Sequence, residues 1–337
     1  MTSTEQTLVF ITYFINVYIG YFVVITGLIG NIINIILFTQ LKLFRRNQSA
    51  FYLIVASIVD CFQLIFAAAT RATVVAFGFD PTRTSIVWCK LRIYFLQFGS
   101  LTSSGTVCFA AIDQYLSTNY HHQLRQMSTF KLAQYLVGIL IVFVALYSIL
   151  FPVFFEIHGN AGCTTVNPIF NYYYSFVHFC ILISILPIVI SSLFSLLAYQ
   201  NVRRIVRRQV AIIRRRLDRQ LTAMILVRVI LLVITVLPFV SLRVYQINNP
   251  MNQNDTFAVT VDQLIRIVIT TVYNTNYSGT FYVFLVASIR FRRQVKHLFL
   301  KKTWRKCLSM MANRNQVAPE NQLATIESHG SDGDIDS

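Results

Sequence analysis

Seven apolar stretches, each long enough to cross about 30 Å of hydrocarbon, dominate the chain. They lie at 10–40, 51–78, 89–116, 131–155, 171–200, 220–246 and 262–287. Inside a bilayer the backbone has no water to bond, so each stretch must satisfy its own N–H and C=O groups as a helix. The connections are short and show no repeat of fixed period, which argues against a transporter built from inverted repeats. The expected fold is therefore an all-α, seven-transmembrane helix bundle. Composition agrees, because a chain that is 55% hydrophobic and only 12% charged has too little charge to cover a soluble surface. The expected division is a short extracellular N-terminus over 1–9, a seven-helix domain over 10–302, and a disordered polar cytosolic tail over 303–337. Glu5 and the lack of Lys or Arg before the first apolar run leave no cleavable signal pattern, so the first span is expected to act as its own insertion signal.

A net charge of +16 would suit nucleic acid, but its placement points to a membrane instead. Of the 29 Lys and Arg, 22 fall in the connections at 41–50, 117–131 and 201–219 and from residue 290 onward. The opposite connections hold Arg83 and Lys90, and none in 156–175 or 247–261. The positive-inside rule then puts the N-terminus outside and the C-terminus in the cytosol. Asn254-Asp255-Thr256 is a glycosylation sequon in an outside connection, whereas Asn47-Gln48-Ser49 lies inside. Cys89 at the start of the third span and Cys163 in the second outside connection both face an oxidising compartment. A bridge between them would close a loop of about 74 residues and contribute roughly 4 kcal/mol on the chain-entropy model. Cys61, Cys108 and Cys180 lie inside spans as packing residues, and Cys307 follows a basic stretch as a palmitoylation candidate.

Several residues then fall into a known order. Gly30-Asn31 lies in the first span, Asp60 in the second, Trp88-Cys89 opens the third, and Asp113-Gln114-Tyr115 ends it. The 25 residues from Cys89 to Gln114 span about 37 Å of helix. Pro187 and Pro238 sit in the fifth and sixth spans, and Phe291-Arg292 opens a short basic amphipathic stretch. With these spacings the chain resembles the rhodopsin-like (class A) G-protein-coupled receptors, to about residue 302. The end of the seventh span admits two registers, Thr280 to Phe284 or Ser278 to Tyr282, and the first is preferred. Asn276-x-Ser278 leading to Phe281 then resembles invertebrate peptide receptors, including FMRFamide-type ones.

The resemblance implies a plasma-membrane receptor rather than an enzyme, with a short membrane-surface helix after the seventh span. It implies an extracellular ligand and a cytosolic heterotrimeric G protein, with arrestin as a further partner for Thr325, Ser328, Ser331 and Ser337 in the tail. In the family the second-span acid can hold a sodium ion or a water cluster, and the matching partners for Asp60 are Asn31, Ser103, Asn276 and Thr280. The alternative is a neutral, hydrogen-bonded Asp60 that joins helices. Leu96 stands where amine receptors carry Asp, and 262–287 contains no Lys for a retinal Schiff base. A peptide is the expected ligand. Arg71, Arg92, Arg243 and Arg266 lie in the outer thirds of four different spans. If they converge, they form a pocket for an acidic group, whereas one or two are expected to snorkel; Asp262 could pair with Arg266, and Glu156 or Asp80 could neutralise others.

Gln114 occupies the place of the Arg that the family uses as its activation switch. Asp218 keeps the acid at the foot of the sixth span, and Arg214, Arg215 or Arg219 is its expected partner. Ser195 and Phe284 replace the tyrosines that would receive that Arg, and Val236 replaces the sixth-span Trp. These matched changes predict an Arg-free switch working through packing between the third, sixth and seventh spans. Two readings follow. One is a receptor coupling to a G protein through altered contacts; the other is a receptor-shaped protein that captures ligand or recruits arrestin with weak or no G-protein activation.

Overall fold

The computed structural model describes residues 3–41, 44, 47–158, 162–205, 212–249 and 255–298. Asn254, the basic residues Lys42, Arg45 and Arg46, and everything from 299, including Cys307 and the tail serines, lie outside the described residues. Among those described, seven helices are long and apolar enough to cross a membrane: Ser3–Gln40, Gln48–Phe77, Ile86–Thr118, Phe130–Phe154, Pro168–Arg203, Leu217–Gln246 and Thr256–Ser278. They correspond one to one with the seven expected stretches. The described residues up to 289 form one compact unit, and 290–298, which belong to a second, are helical.

Five of the spans begin on a side-chain cap. Asn47, Ser85, Thr129, Asn167 and Asp255 each accept a bond from the backbone N–H three residues on, opening the second, third, fourth, fifth and seventh spans. Asn47 is therefore a helix cap. The first helix starts at Ser3 rather than near residue 10, since Glu5 suits a first turn and its Oε1 accepts from Thr256 Oγ1 at 3.0 Å. That bond joins the beginnings of the first and seventh spans. The seventh helix ends at Ser278 and resumes at Thr280, so Gly279 makes the interruption in a stretch that lacks Pro.

The third span is the most buried of the seven. Its inward residues are small or hydroxylated (Gly99, Ser100, Thr102, Ser103, Ser104 and Thr106), which lets neighbouring backbones approach and supplies short polar groups. The first and seventh spans also meet closely: a Cβ at Gly30 would lie 2.9 Å from Phe281 Cβ. Wide π turns loosen the second span at Leu64–Ala69 and the fifth at Tyr173–Ile185.

Three apolar clusters fill the bundle. Tyr52, Val107, Ala111, Val137 and Ile225 pack toward the Gln114 end. Val23, Leu64, Leu232, Val236, Tyr273 and Tyr277 form a middle cluster. Phe151, Phe155, Phe170, Tyr174 and Phe179 pack around Cys89 at the other end. There β1 (Glu156–His158) pairs antiparallel with β2 (Gly162–Thr164), and Gly162 takes the left-handed φ of 72° that the turn requires. Cys163 on β2 is bridged to Cys89, which ties the hairpin to the third span. Replacing Cys163 with Ser is expected to lower stability by about 4 kcal/mol, because the closed loop spans 74 residues. Thermal unfolding of the purified protein with and without reductant checks this; a midpoint unmoved by either change would refute it.

Candidate functional site

The centre of the bundle is built on a buried ion pair. Asp60 of the second span is fully buried, and Arg228 of the sixth is only 2% exposed. Arg228 Nη2 lies 3.1 Å from Asp60 Oδ2, while its Nη1 donates to Asn276 Oδ1 at 2.9 Å and to the Asn276 carbonyl. The other Asp60 oxygen accepts from Ser103 Oγ at 2.6 Å. One cluster thus fastens the second, third, sixth and seventh spans. Of the residues expected around Asp60, Ser103 and Asn276 join it. Asn31 instead donates to the Tyr277 carbonyl at 2.9 Å, and its Oδ1 and Thr280 Oγ1 have no protein partner among the described residues. The guanidinium was not anticipated from the sequence. A sodium ion fits poorly here, because a second cation would share a carboxylate that already faces one.

At the Gln114 end lies a neutral clasp. Gln114 is 1% exposed; its Nε2 donates to Thr222 Oγ1 at 2.7 Å and to the Asp218 backbone carbonyl at 3.2 Å, both on the sixth span. Ser49 Oγ lies 2.9 Å from Gln114 Oε1 and 3.0 Å from Asp113 Oδ2 and shares its one hydrogen between them, and Ser128 Oγ donates to Asp113 Oδ1 at 2.6 Å. Asp113 is thereby satisfied by hydroxyls, and Gln114 reaches the sixth span through backbone and hydroxyl acceptors. Tyr115 packs against Phe194, and Phe284 is fully buried. Ser195 is buried with no partner for its hydroxyl among the described residues. The side chains of Arg214 and Arg215, expected beside Asp218, lie outside the described residues; Arg219 is exposed.

Toward the Cys89 end a cavity of about 180 Å³ is lined by Gln63, Arg71, Arg92, Leu96, Tyr174 and Tyr273, among others. Arg71 lies within electrostatic reach of Arg92 and Arg266. Neither Arg71 nor Arg92 makes an ion pair with a carboxylate among the described residues, and Arg92 Nε donates to Thr70 Oγ1 at 3.3 Å. Arg243 stands behind the wall, 5.9 Å and 5.3 Å from the Tyr174 and Phe179 ring centres. Arg266 is half exposed and paired with Asp262 at 2.8 Å. Two of the four expected arginines therefore converge on the cavity, one backs it, and one is neutralised beside it. Beneath lies a polar chain that the sequence did not disclose. Gln97 donates to Tyr174 Oη at 3.0 Å and meets His178 at 2.6 Å; His178 reaches Tyr147 at 3.1 Å, and Tyr147 meets Tyr173 at 2.9 Å.

Seven spans around a buried polar core, with a cavity at one end and a hydrogen-bonded clasp at the other, define a transmembrane receptor. The chain belongs to the rhodopsin family of seven-transmembrane receptors, whose sequence model matches residues 30–276. It is a G-protein-coupled receptor and a multi-pass membrane protein. Among individual curated proteins, no match to the chain was found.

Removing one partner of a buried ion pair strands the other charge, at a cost of about 3–5 kcal/mol. Asp60→Asn and Arg228→Met are each expected to lower stability by that order. The double variant should be less destabilised than the sum of the two, since it strands neither charge. Thermal unfolding of all four proteins in one detergent checks this, and strict additivity would refute the pairing.

Proposed function

We propose that the protein is a cell-surface receptor whose ligand, most simply a neuropeptide, places an acidic group between Arg71 and Arg92. The observation that carries this reading is a pair of guanidinium groups lining one cavity without a carboxylate partner among the described residues. Two like charges held together in a low-dielectric site repel, and an incoming carboxylate relieves that repulsion while accepting charge-assisted hydrogen bonds. At about 180 Å³ the cavity suits one side chain or a terminal carboxylate rather than a whole peptide. The rest of such a ligand would lie over the hairpin at the outer mouth. Leu96 on the lining offers no charge to an amine.

In this reading the Cys89 end faces outward and the Gln114 end meets the G protein, in accord with the distribution of Lys and Arg. The two ends communicate along the seventh span. Tyr273 lines the cavity and its hydroxyl lies 2.6 Å from that of Tyr277, while Asn276 alongside accepts from Arg228. The clasp from Gln114 to Thr222 holds the sixth span at rest in place of an ionic lock.

Alanine at Arg71 or Arg92 is expected to weaken binding of acid-terminated peptides about 10–100-fold, the worth of a charge-assisted bond. A screen of peptides with free and amidated C-termini on receptor-expressing cells checks this. Equal affinity of wild type and both variants for every active acidic peptide would sink the reading. Thr222→Val removes one neutral hydrogen bond of the clasp and should raise ligand-independent second-messenger output about 2–10-fold. Basal output at or below that of wild type, at equal surface expression, would count against the clasp.

A further inference from the structure

We propose that Arg228 is the resident counter-ion of Asp60, standing where a diffusible cation would otherwise bind, so that the receptor is indifferent to sodium. A carboxylate at the middle of a bundle requires a counter-charge, since solvating it there with neutral groups alone is expensive. In this protein the counter-charge is covalently part of the sixth span. Asp60 has one oxygen on Ser103 and the other on Arg228, and the guanidinium spends its second nitrogen on Asn276. The cluster is neutral as it stands, because Ser103 and Asn276 carry no charge. Adding sodium would leave an excess positive charge in a site where Asp60 is fully buried and Arg228 nearly so.

The arrangement also changes what the cation does. A free ion can leave while the helices stay in place. A tethered one stays within reach of its own side chain, so it leaves Asp60 by a change of rotamer or by movement of the sixth span relative to the second, and occupancy of the site is coupled to the position of that span. The inference concerns the central cluster alone and stands or falls independently of the ligand proposed above.

The test uses the full chain, purified in detergent, with thermal unfolding followed in sodium chloride and in N-methyl-D-glucamine chloride at equal ionic strength. Wild type is expected to unfold at the same midpoint in both salts. Arg228→Met frees Asp60 Oδ2 and Asn276 Oδ1 beside Ser103 Oγ, three oxygens suited to a small hard cation. That variant should gain a sodium-specific rise on the order of a few degrees. Adding Asp60→Asn to it should abolish the rise. Arg228→Lys keeps the charge and should remain indifferent. A sodium-specific rise in wild type that Asp60→Asn removes would overturn the proposal, as would a folded Arg228→Met protein with no sodium-specific rise. If Arg228→Met does not fold, wild type and Arg228→Lys decide the matter. Indifference in both upholds the resident cation, and a sodium-specific rise in either refutes it.

Discussion

A carboxylate and a guanidinium, both out of reach of water, meet at the centre of this bundle, and the positions of four helices depend on their meeting. Neither charge is tolerable there alone. Together with Ser103 and Asn276 they form a cluster in which both carboxylate oxygens and two guanidinium nitrogens have partners. Apolar packing holds the spans at a common distance but leaves sliding and rotation cheap, because lipid is as apolar as the helix surfaces. The polar cluster is directional and removes that freedom. It sets how the sixth span is turned relative to the second and seventh.

Around this centre the polar residues are divided by kind. Toward the Gln114 end Asp113 and Gln114 are satisfied without an opposite charge: Asp113 by two serines, Gln114 by Ser49, Thr222 and a backbone carbonyl. Toward the cavity they are charged: Arg71 and Arg92 stand on the wall with no ion pair to a carboxylate among the described residues, and Asp80 acts on Arg92 only from a distance. Clusters of satisfied groups rigidify, whereas groups lacking partners favour a ligand that supplies them. The division places hydrogen-bonded polar groups at one end of the molecule and a pair of cationic side chains at the other, with the ion pair between them.

Much of this was legible in the sequence. Seven apolar lengths dictated seven helices, and Cys89 and Cys163 were placed on the same side by counting spans. Gly30 stood out only as part of the family pattern; that its missing Cβ makes room for Phe281 of the seventh span depends on the packing of helices far apart in the chain. Arg228 was overlooked although its signal was plain: an arginine in the run Val227-Arg228-Val229, ten residues before Pro238, is as costly in mid-membrane as Asp60. The pairing with Asp60 was beyond reach, since it depends on the rotation of two helices far apart in the chain. The same holds for the path from Gln97 to Tyr173, where each residue read alone is an ordinary core tyrosine, glutamine or histidine. For Arg266 the sequence offered both a local pair with Asp262 and a place in the pocket, and the local pair prevails.

Pro238 lies within the sixth helix, where its ring removes a backbone bond and marks the natural point of bending. Measured from that fulcrum, Arg228 is about 15 Å along the helix and Thr222 about 24 Å, at ~1.5 Å per residue. Both fastenings are therefore on one lever arm, with unequal leverage. A rotation that carries Arg228 outward by one increment carries Thr222 outward by roughly 1.6. The outer fastening is a short-range hydrogen bond that fails within a fraction of an ångström, while the inner one falls off only with the inverse of distance. The arm is thus released in order: the tip unlatches first, and the ion pair, still attracting, acts as the spring that returns it.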